Sequence, residues 1–318
     1  MLAPWRRRIL LYRLISALPG GESLLDSYRV RLGGIKHADL GLRRNELQEM
    51  VHLLSVAAIG VHGKDLVEVG AGWHPVLAAL LRGMGARSIV MTDLRSHMTG
   101  SLVESTIEYF LAHSSELADV AGCAEEDLNR RWSALLPGGR DWTEVWQDQG
   151  ITYRAPLDFT RSRLPPESAD LVYSNSCLNY VPAPVLRGIM TESIRILRPG
   201  GFIAHNIHVY DDLAGYDPSI RPWNFLRFSA DEWQRLGNCR AHYQNRWRPQ
   251  DYFDLATGSG LVVLVDERIP FAAGLGDIDR SELHGDFSSL PDEEIRCGHY
   301  LLIARKPEAA STASSTPT

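Results

Sequence analysis

The chain has 318 residues, 44% of them hydrophobic and 23% charged, with a mean hydropathy of -0.17. These are the proportions of an ordered globular protein with a sizeable core, and they exclude collagen-like, mucin-like and wholly disordered chains. Net charge is -6 from 33 basic and 39 acidic residues, which argues against a polyanion-binding surface and against nucleic acid as a partner.

Lysine occurs only at Lys36, Lys64 and Lys306, so arginine supplies nearly all the positive charge. Its scatter along the chain fits a GC-rich genome better than a phosphate site. Cys123, Cys177, Cys239 and Cys297 form no C-x-x-C pair, which speaks against a zinc ribbon or disulfide framework and for a reducing, cytoplasmic setting. No apolar run reaches the roughly 20 residues that span a bilayer.

The chain opens with Arg6-Arg7-Arg8 before Ile9-Leu10-Leu11. Arg13 interrupts the apolar stretch and Pro19-Gly20-Gly21 is a poor cleavage site, so a retained helix is expected, docked on the protein in preference to a membrane. A weak membrane-surface contact through this basic helix stays open. Residues 1–60 are expected to be a helical segment with a break at Gly33-Gly34 and a better helix over Asn45 to Leu54. Asp65 to Val69 is a short buried strand running into Gly70-Ala71-Gly72-Trp73-His74-Pro75. A helix over Pro75 to Leu81 and a strand over Ser88 to Asp93 complete a βαβ unit.

The next strand, Ile151 to Arg154, comes more than fifty residues later, too far for an ordinary crossover. A helical insertion over about 95–150 is expected, forming a lid or acceptor wall with Trp142 and Trp146 as its aromatic contacts. A strand at Ala169 to Ser174, a helix at Val185 to Leu197 and a strand at Phe202 to Ile207 follow. Leu261 to Val265 and His299 to Ala304 are the last strands. Residues 307–318, rich in Ser, Thr, Ala and Pro, are expected to be a disordered tail.

The Glu68-x-Gly70-x-Gly72 turn joins a strand to a helix N-terminus, where backbone N–H groups can hold an anionic group. Asp93 ends the second strand, where a carboxylate can accept both ribose hydroxyls. Glu68 beside the first glycine is not what a pyrophosphate site needs. It suits an amino-acid end with an ammonium. Further along come Pro156-Leu157-Asp158-Phe159, Leu164 to Val172, Leu178-Asn179-Tyr180-Val181 and Ile196-Leu197-Arg198-Pro199-Gly200-Gly201-Phe202.

In order and spacing, these motifs resemble the class I S-adenosylmethionine-dependent methyltransferase family, type 11-like, over roughly Lys64 to Ala304. The resemblance implies an α/β fold, a Rossmann-like seven-stranded mostly parallel sheet flanked by helices, in a domain over 61–306. It also implies S-adenosyl-L-methionine as cofactor. Glu68, Gly70 and Gly72 would hold its methionine part and Asp93 its ribose. Asp158 with Phe159 would border the adenine, and Ser174-Asn175 would line the floor near the sulfonium. His74 stands where the family has a third glycine, which would narrow the pocket or give His74 a cofactor contact.

After the fifth strand comes His205-Asn206-Ile207-His208-Val209-Tyr210-Asp211-Asp212. Ligands of open α/β sheets sit outside the carboxyl ends of the strands, so His208 and Asp211 are the catalytic candidates: a base and the carboxylate that orients it. The competing reading makes His205 a core histidine and Asp211 and Asp212 turn caps. His205 and His208 lie three apart on a strand and point to opposite faces, so no metal site is expected. The expected activity is methyl transfer to a small-molecule acceptor, a sugar hydroxyl first. The rivals are an NAD(P)-dependent oxidoreductase and a non-catalytic scaffold of the same fold. The oligomeric state is not fixed by any of these features.

Overall fold

The computed structural model describes residues 3–31, 44–271 and 278–308, with 28–31 by backbone alone. The expected break at Gly33-Gly34 and most of the expected tail, 309–318, lie outside the described residues.

Seven strands form one sheet: β1 (Asp65–Val69), β2 (Ser88–Thr92), β3 (Ile151–Arg154), β4 (Ala169–Asn175), β5 (Leu197–His208), β6 (Val262–Pro270) and β7 (Cys297–Arg305). Their order across the sheet is β3-β2-β1-β4-β5-β7-β6. The first five run parallel, and β7 lies antiparallel between β5 and β6. A dinucleotide-binding sheet with order 3-2-1-4-5-6 has no such inserted antiparallel strand. That difference weighs against the oxidoreductase reading.

One face of the sheet is covered by α3 (Arg44–Val56), α4 (Val76–Gly83), α5 (Gly100–Ala112), α6 (Ser114–Ala121), α7 (Glu125–Ser133) and α8 (Trp142–Asp148). α4 buries nearly every residue because Val76, Leu77, Leu80 and Leu81 meet the sheet while its other side meets α7. The expected lid is instead part of this core layer. Trp132 Nε1 donates to Ala79 O (2.8 Å) and Trp146 Nε1 to Leu135 O (2.9 Å), both rings being buried. Trp142 packs edge-on against Trp146 and near Tyr153, so both expected acceptor contacts serve packing. The physical reason is their i,i+4 spacing, which puts the two rings on one apolar stripe.

The opposite face carries α9 (Ala183–Ile196) and α11 (Pro249–Gly258), with Leu186, Ile189, Tyr252 and Ala256 packed on Val172, Ile203 and Leu302. A third cluster forms where α1 (Pro4–Ser16) docks through Trp5 and Ile9 onto Leu213, Trp223, Phe225 and Trp233. Trp233 belongs to α10 (Ala230–Leu236). The α1 N-terminus is capped from far along the chain, Trp5 N donating to Asp217 Oδ2 (3.1 Å). α2 (Gly21–Arg31) is tied to the loop after β2 by Glu22 and Arg95, 2.7 Å apart. Arg248, fully buried, donates to the carbonyls of Val209, Glu294 and Cys297 and so fixes the chain as it leaves β5. A short α12 (Asp292–Arg296) leads into β7.

Candidate functional site

The turn after β1 puts Gly70 and Gly72 in the left-handed region, at φ 78° and 68°. Gly70 N and Ala71 N donate to Thr92 O (2.9 and 3.0 Å), and Gly72 N donates to Asp93 Oδ2 (2.9 Å). The other oxygen of Asp93 accepts from Arg95 N (3.0 Å). The turn and the end of β2 are thus one hydrogen-bonded unit. Leu157 N donates to Asp93 O (2.7 Å), which draws the Asp158 loop alongside. Asp158 is exposed and caps a single turn of 3-10 helix through Thr160 N (3.0 Å), while Phe159 is buried in the core of the second face.

Glu68, on β1 just before the turn, is buried, and its Oε2 has no hydrogen-bond partner. Burial pushes its carboxyl up to about 8, Asp93 adding to the rise and the Tyr173 hydroxyl opposing it. Around the position that a Cβ on Gly72 would take, nothing lies within 4 Å. An orphaned acidic oxygen behind a glycine turn with open space before it fits the amino-acid end of the implied cofactor. Its ammonium would supply the missing partner.

Ser174 and Asn175, the residues expected at the floor, end β4. Ser174 is fully buried, its Oγ 2.8 Å from His205 Nδ1, and burial pushes His205 down to about 4, so it is neutral near pH 7. His205 is therefore a core histidine. Asn175 Nδ2 donates to Glu46 Oε2 (2.8 Å) and its Oδ1 accepts from Asn206 Nδ2 (2.9 Å). Ser176 follows with φ 49°, unusual for a side-chain-bearing residue. Such strain is retained where surrounding contacts over-determine it, commonly at functional sites. Its Oγ is 2.8 Å from His208 Nε2.

His208 has a second polar neighbour, Tyr210 OH, 3.4 Å from Nδ1, and its ring lies against His299 with centroids 4.3 Å apart. His299 Nδ1 in turn is 2.9 Å from Glu49 Oε1. Glu49 Oε2 also accepts from Asn206 Nδ2 (2.6 Å). Burial alone would raise the Glu49 carboxyl, but bonding and charge from His299, with Asn206 and His208, outweigh it and hold the group below its usual range. The carboxylate beside the histidines is therefore Glu49 from α3.

Asp211 is the correction. It is fully buried, accepting from Leu213 N and from Asn224 Nδ2 (both 2.9 Å), and burial pushes it up to about 7. It caps a turn, because a short acidic side chain at the exit of a strand finds the backbone N–H two residues on before it can reach across the sheet. Asp212 instead accepts from the Tyr180 hydroxyl. His74 is buried with Nδ1 3.1 Å from Thr106 Oγ1, which binds the glycine turn to α5.

Glu46, Glu49, Ser176, Cys177 and His299 stand beside the expected site residues although no motif singles them out, His299 as the antiparallel partner of His208. Among the described residues, no group of three or more His, Cys, Asp or Glu side chains is placed to hold a metal ion.

Residues 144–205 match a family model described as "Methyltransferase domain". This segment runs from α8 into β5 and includes the Asp158 loop and the Pro199-Gly200-Gly201 stretch of β5. No curated protein matches the chain. Among solved structures, it is similar to an S-adenosylmethionine-dependent methyltransferase from Mesorhizobium loti, at 17% identity over 81% of this chain and 99% of that one, TM-score 0.44. It is also similar to a putative methyltransferase of the same cofactor class from Listeria monocytogenes, at 14% identity over 83% and 99%, TM-score 0.46. A third is a Haloferax volcanii complex of the Trm112 methyltransferase activator with a putative methyltransferase, at 17% over 89% and 97%, TM-score 0.47. The methyltransferase-domain match thus falls on a sheet of order β3-β2-β1-β4-β5-β7-β6, with β7 inserted antiparallel and a glycine turn backed by Glu68 and Asp93.

Proposed function

We propose that this enzyme methylates a hydroxyl of a small polar acceptor, a sugar hydroxyl first, using His299 or His208 to take the proton. The observation that carries the reading is the Glu49–His299–His208 group at the carboxyl end of β5 and the amino end of its antiparallel neighbour β7. It is linked to the glycine turn through Ser176 and Cys177: Ser176 bonds His208, and Cys177 packs on Gly70.

S-adenosylmethionine supplies an electrophilic methyl on a sulfonium, so the protein's task is alignment and proton removal. We assign Glu68, Gly70 and Gly72 to the amino-acid end, Asp93 to the ribose, and the loop at Asp158 to the base. An acceptor hydroxyl is a poor nucleophile while it keeps its proton. A histidine held by a carboxylate is suited to take that proton, because Glu49 fixes the ring through Nδ1 and stabilises the charge that appears on it. Glu49 acts through His299 and is a positioning residue. Asn175 and Asn206 hold the two α3 carboxylates in place.

The test begins with calorimetry of S-adenosylmethionine binding to the full chain. A screen of sugar, phenol and amine acceptors follows, read as S-adenosylhomocysteine release. Turnover confined to amines would remove the hydroxyl reading, since a neutral amine needs no base as it attacks.

A further inference from the structure

α1 has two apolar faces. Trp5, Ile9, Tyr12 and Ser16 recur at three- and four-residue spacing and are buried against the protein. Leu10, Leu11 and Leu14, with Leu18 just past the helix, lie on the other side and are 47%, 52%, 61% and 58% exposed. Single exposed leucines are ordinary, but four at helical spacing make a stripe on the side that should be polar.

The charge around this stripe is one-sided. The first twenty residues hold four arginines, Arg6, Arg7, Arg8 and Arg13, and no acid, in a chain of net charge -6. Three of the arginines are braced along the flanks of the helix. The Arg6 guanidinium lies over the Trp5 ring at 5.0 Å, Arg8 over Tyr216 at 3.6 Å, and Arg13 Nη2 donates to Asn238 O at 2.7 Å. Held there half-exposed, these guanidinium groups form the rim of the leucine face, while Arg7 is exposed among the leucines.

We infer that α1 is a membrane-surface helix: the outer face of Leu10, Leu11, Leu14 and Leu18 enters the interface of an anionic bilayer while Arg6, Arg7 and Arg8 meet its headgroups. The combination of an apolar stripe with basic side chains is what such helices use. A second copy of the chain is the poorer occupant, because it would bring two arginine clusters together. The acidic remainder of the protein is repelled by the same surface, so the attraction is local and sets one orientation. No helix among the described residues is long and apolar enough to cross a membrane, which leaves contact from one side. The inference is independent of the proposed acceptor.

The experiment is vesicle flotation of the full chain with phosphatidylcholine alone and with added phosphatidylglycerol. Binding is expected only with phosphatidylglycerol, weakening as salt is raised. The Leu10→Asn/Leu14→Asn variant should bind at least about tenfold more weakly, since apolar insertion is the second of the two signals that stable surface binding needs. Arg7→Glu should weaken binding as well. Calorimetry with S-adenosylmethionine on the same variants checks that each is folded, and its outcome for the native chain bears on the methyltransferase reading alone. Failure of the native chain to float with phosphatidylglycerol vesicles, or equal flotation of the leucine variant, would overturn the inference. So would concentration-dependent self-association abolished by the leucine variant without any vesicle binding.

Discussion

The sulfur of Cys177 occupies the space that a side chain on Gly70 would need. The residue after β1 is therefore glycine for two reasons at once, its φ of 78° and the sulfur packed against it. Gly72, at φ 68°, has only the first reason, because its Cβ would point into open space.

Gly70→Ala should accordingly cost more stability than Gly72→Ala. Backbone strain alone is worth roughly 1 kcal/mol or somewhat more for either, and the clash with Cys177 adds to it at Gly70. Cys177→Ala in the Gly70→Ala background should recover part of that excess, a coupling that a double-mutant cycle in urea would measure. Gly72→Ala should instead show its main loss in S-adenosylmethionine affinity. Equal destabilisation by the two single changes would dismiss the steric account.

Asp93→Ala should weaken S-adenosylmethionine binding by about 1.5 to 3 kcal/mol, the worth of hydrogen bonds to a charged acceptor. The carboxylate also receives Gly72 N and Arg95 N, so some of the loss will be disorder in the turn. Asp93→Asn keeps an acceptor for one of these and should lose less. A folded Asp93→Ala protein with native affinity in calorimetry takes Asp93 out of the site.

With an acceptor in hand, His299→Ala should lower turnover by roughly 10²- to 10⁴-fold, as loss of a general base does, while S-adenosylmethionine affinity holds. Glu49→Gln should fall in the same direction by less. That loss should fall on kcat, with the acceptor KM nearly held, because Glu49 orients the ring that takes the proton. His208→Ala tells which imidazole faces the acceptor. Asp211→Asn should alter stability and leave kcat where it was. A native kcat in Glu49→Gln would reduce Glu49 to a packing group.

Glu68 makes the unliganded fold sensitive to base. Its carboxyl sits at about 8 in the fold against 4.5 for the free group, mainly through burial. Between those values the folded chain holds a proton that the unfolded chain has given up. The stabilising contribution is complete below about 4.5 and is lost as pH rises through about 8, at no more than about 1.4 kcal/mol per pH unit. Glu68→Gln removes that loss. Its melting temperature relative to the native chain should therefore climb steadily from about pH 5 to about pH 8. A gap that stays constant over that range would mean Glu68 is ionised in the fold.

The sheet was largely readable from residue pattern. Ile151–Arg154 coincides with β3, and the runs at Asp65 to Val69 and Ser88 to Asp93 match β1 and β2 within a residue, because buried parallel strands are short unbroken apolar runs between turn residues. The glycine turn was readable for the same local reason. The group proposed to handle the proton was not. Glu49 and His299 stand 250 positions apart, and nothing local to either distinguishes it from a solvent-facing glutamate or a strand residue. Asp211 drew attention as an acid at a strand exit, where its nearest available partner was its own turn.

α3 lies outside the stretch that resembles the methyltransferase family, yet it delivers Glu46 to Asn175 and Glu49 to both Asn206 and His299. A protein cut at residue 60 would retain every strand of the sheet and the glycine turn. It would also leave two buried or half-buried asparagines and a histidine facing water or one another without their acids. The same cut would uncover the core in which Leu47, Met50, Leu53 and Leu54 are buried, so the N-terminal segment is part of the folded body and, on the proposed chemistry, one wall of the reaction chamber.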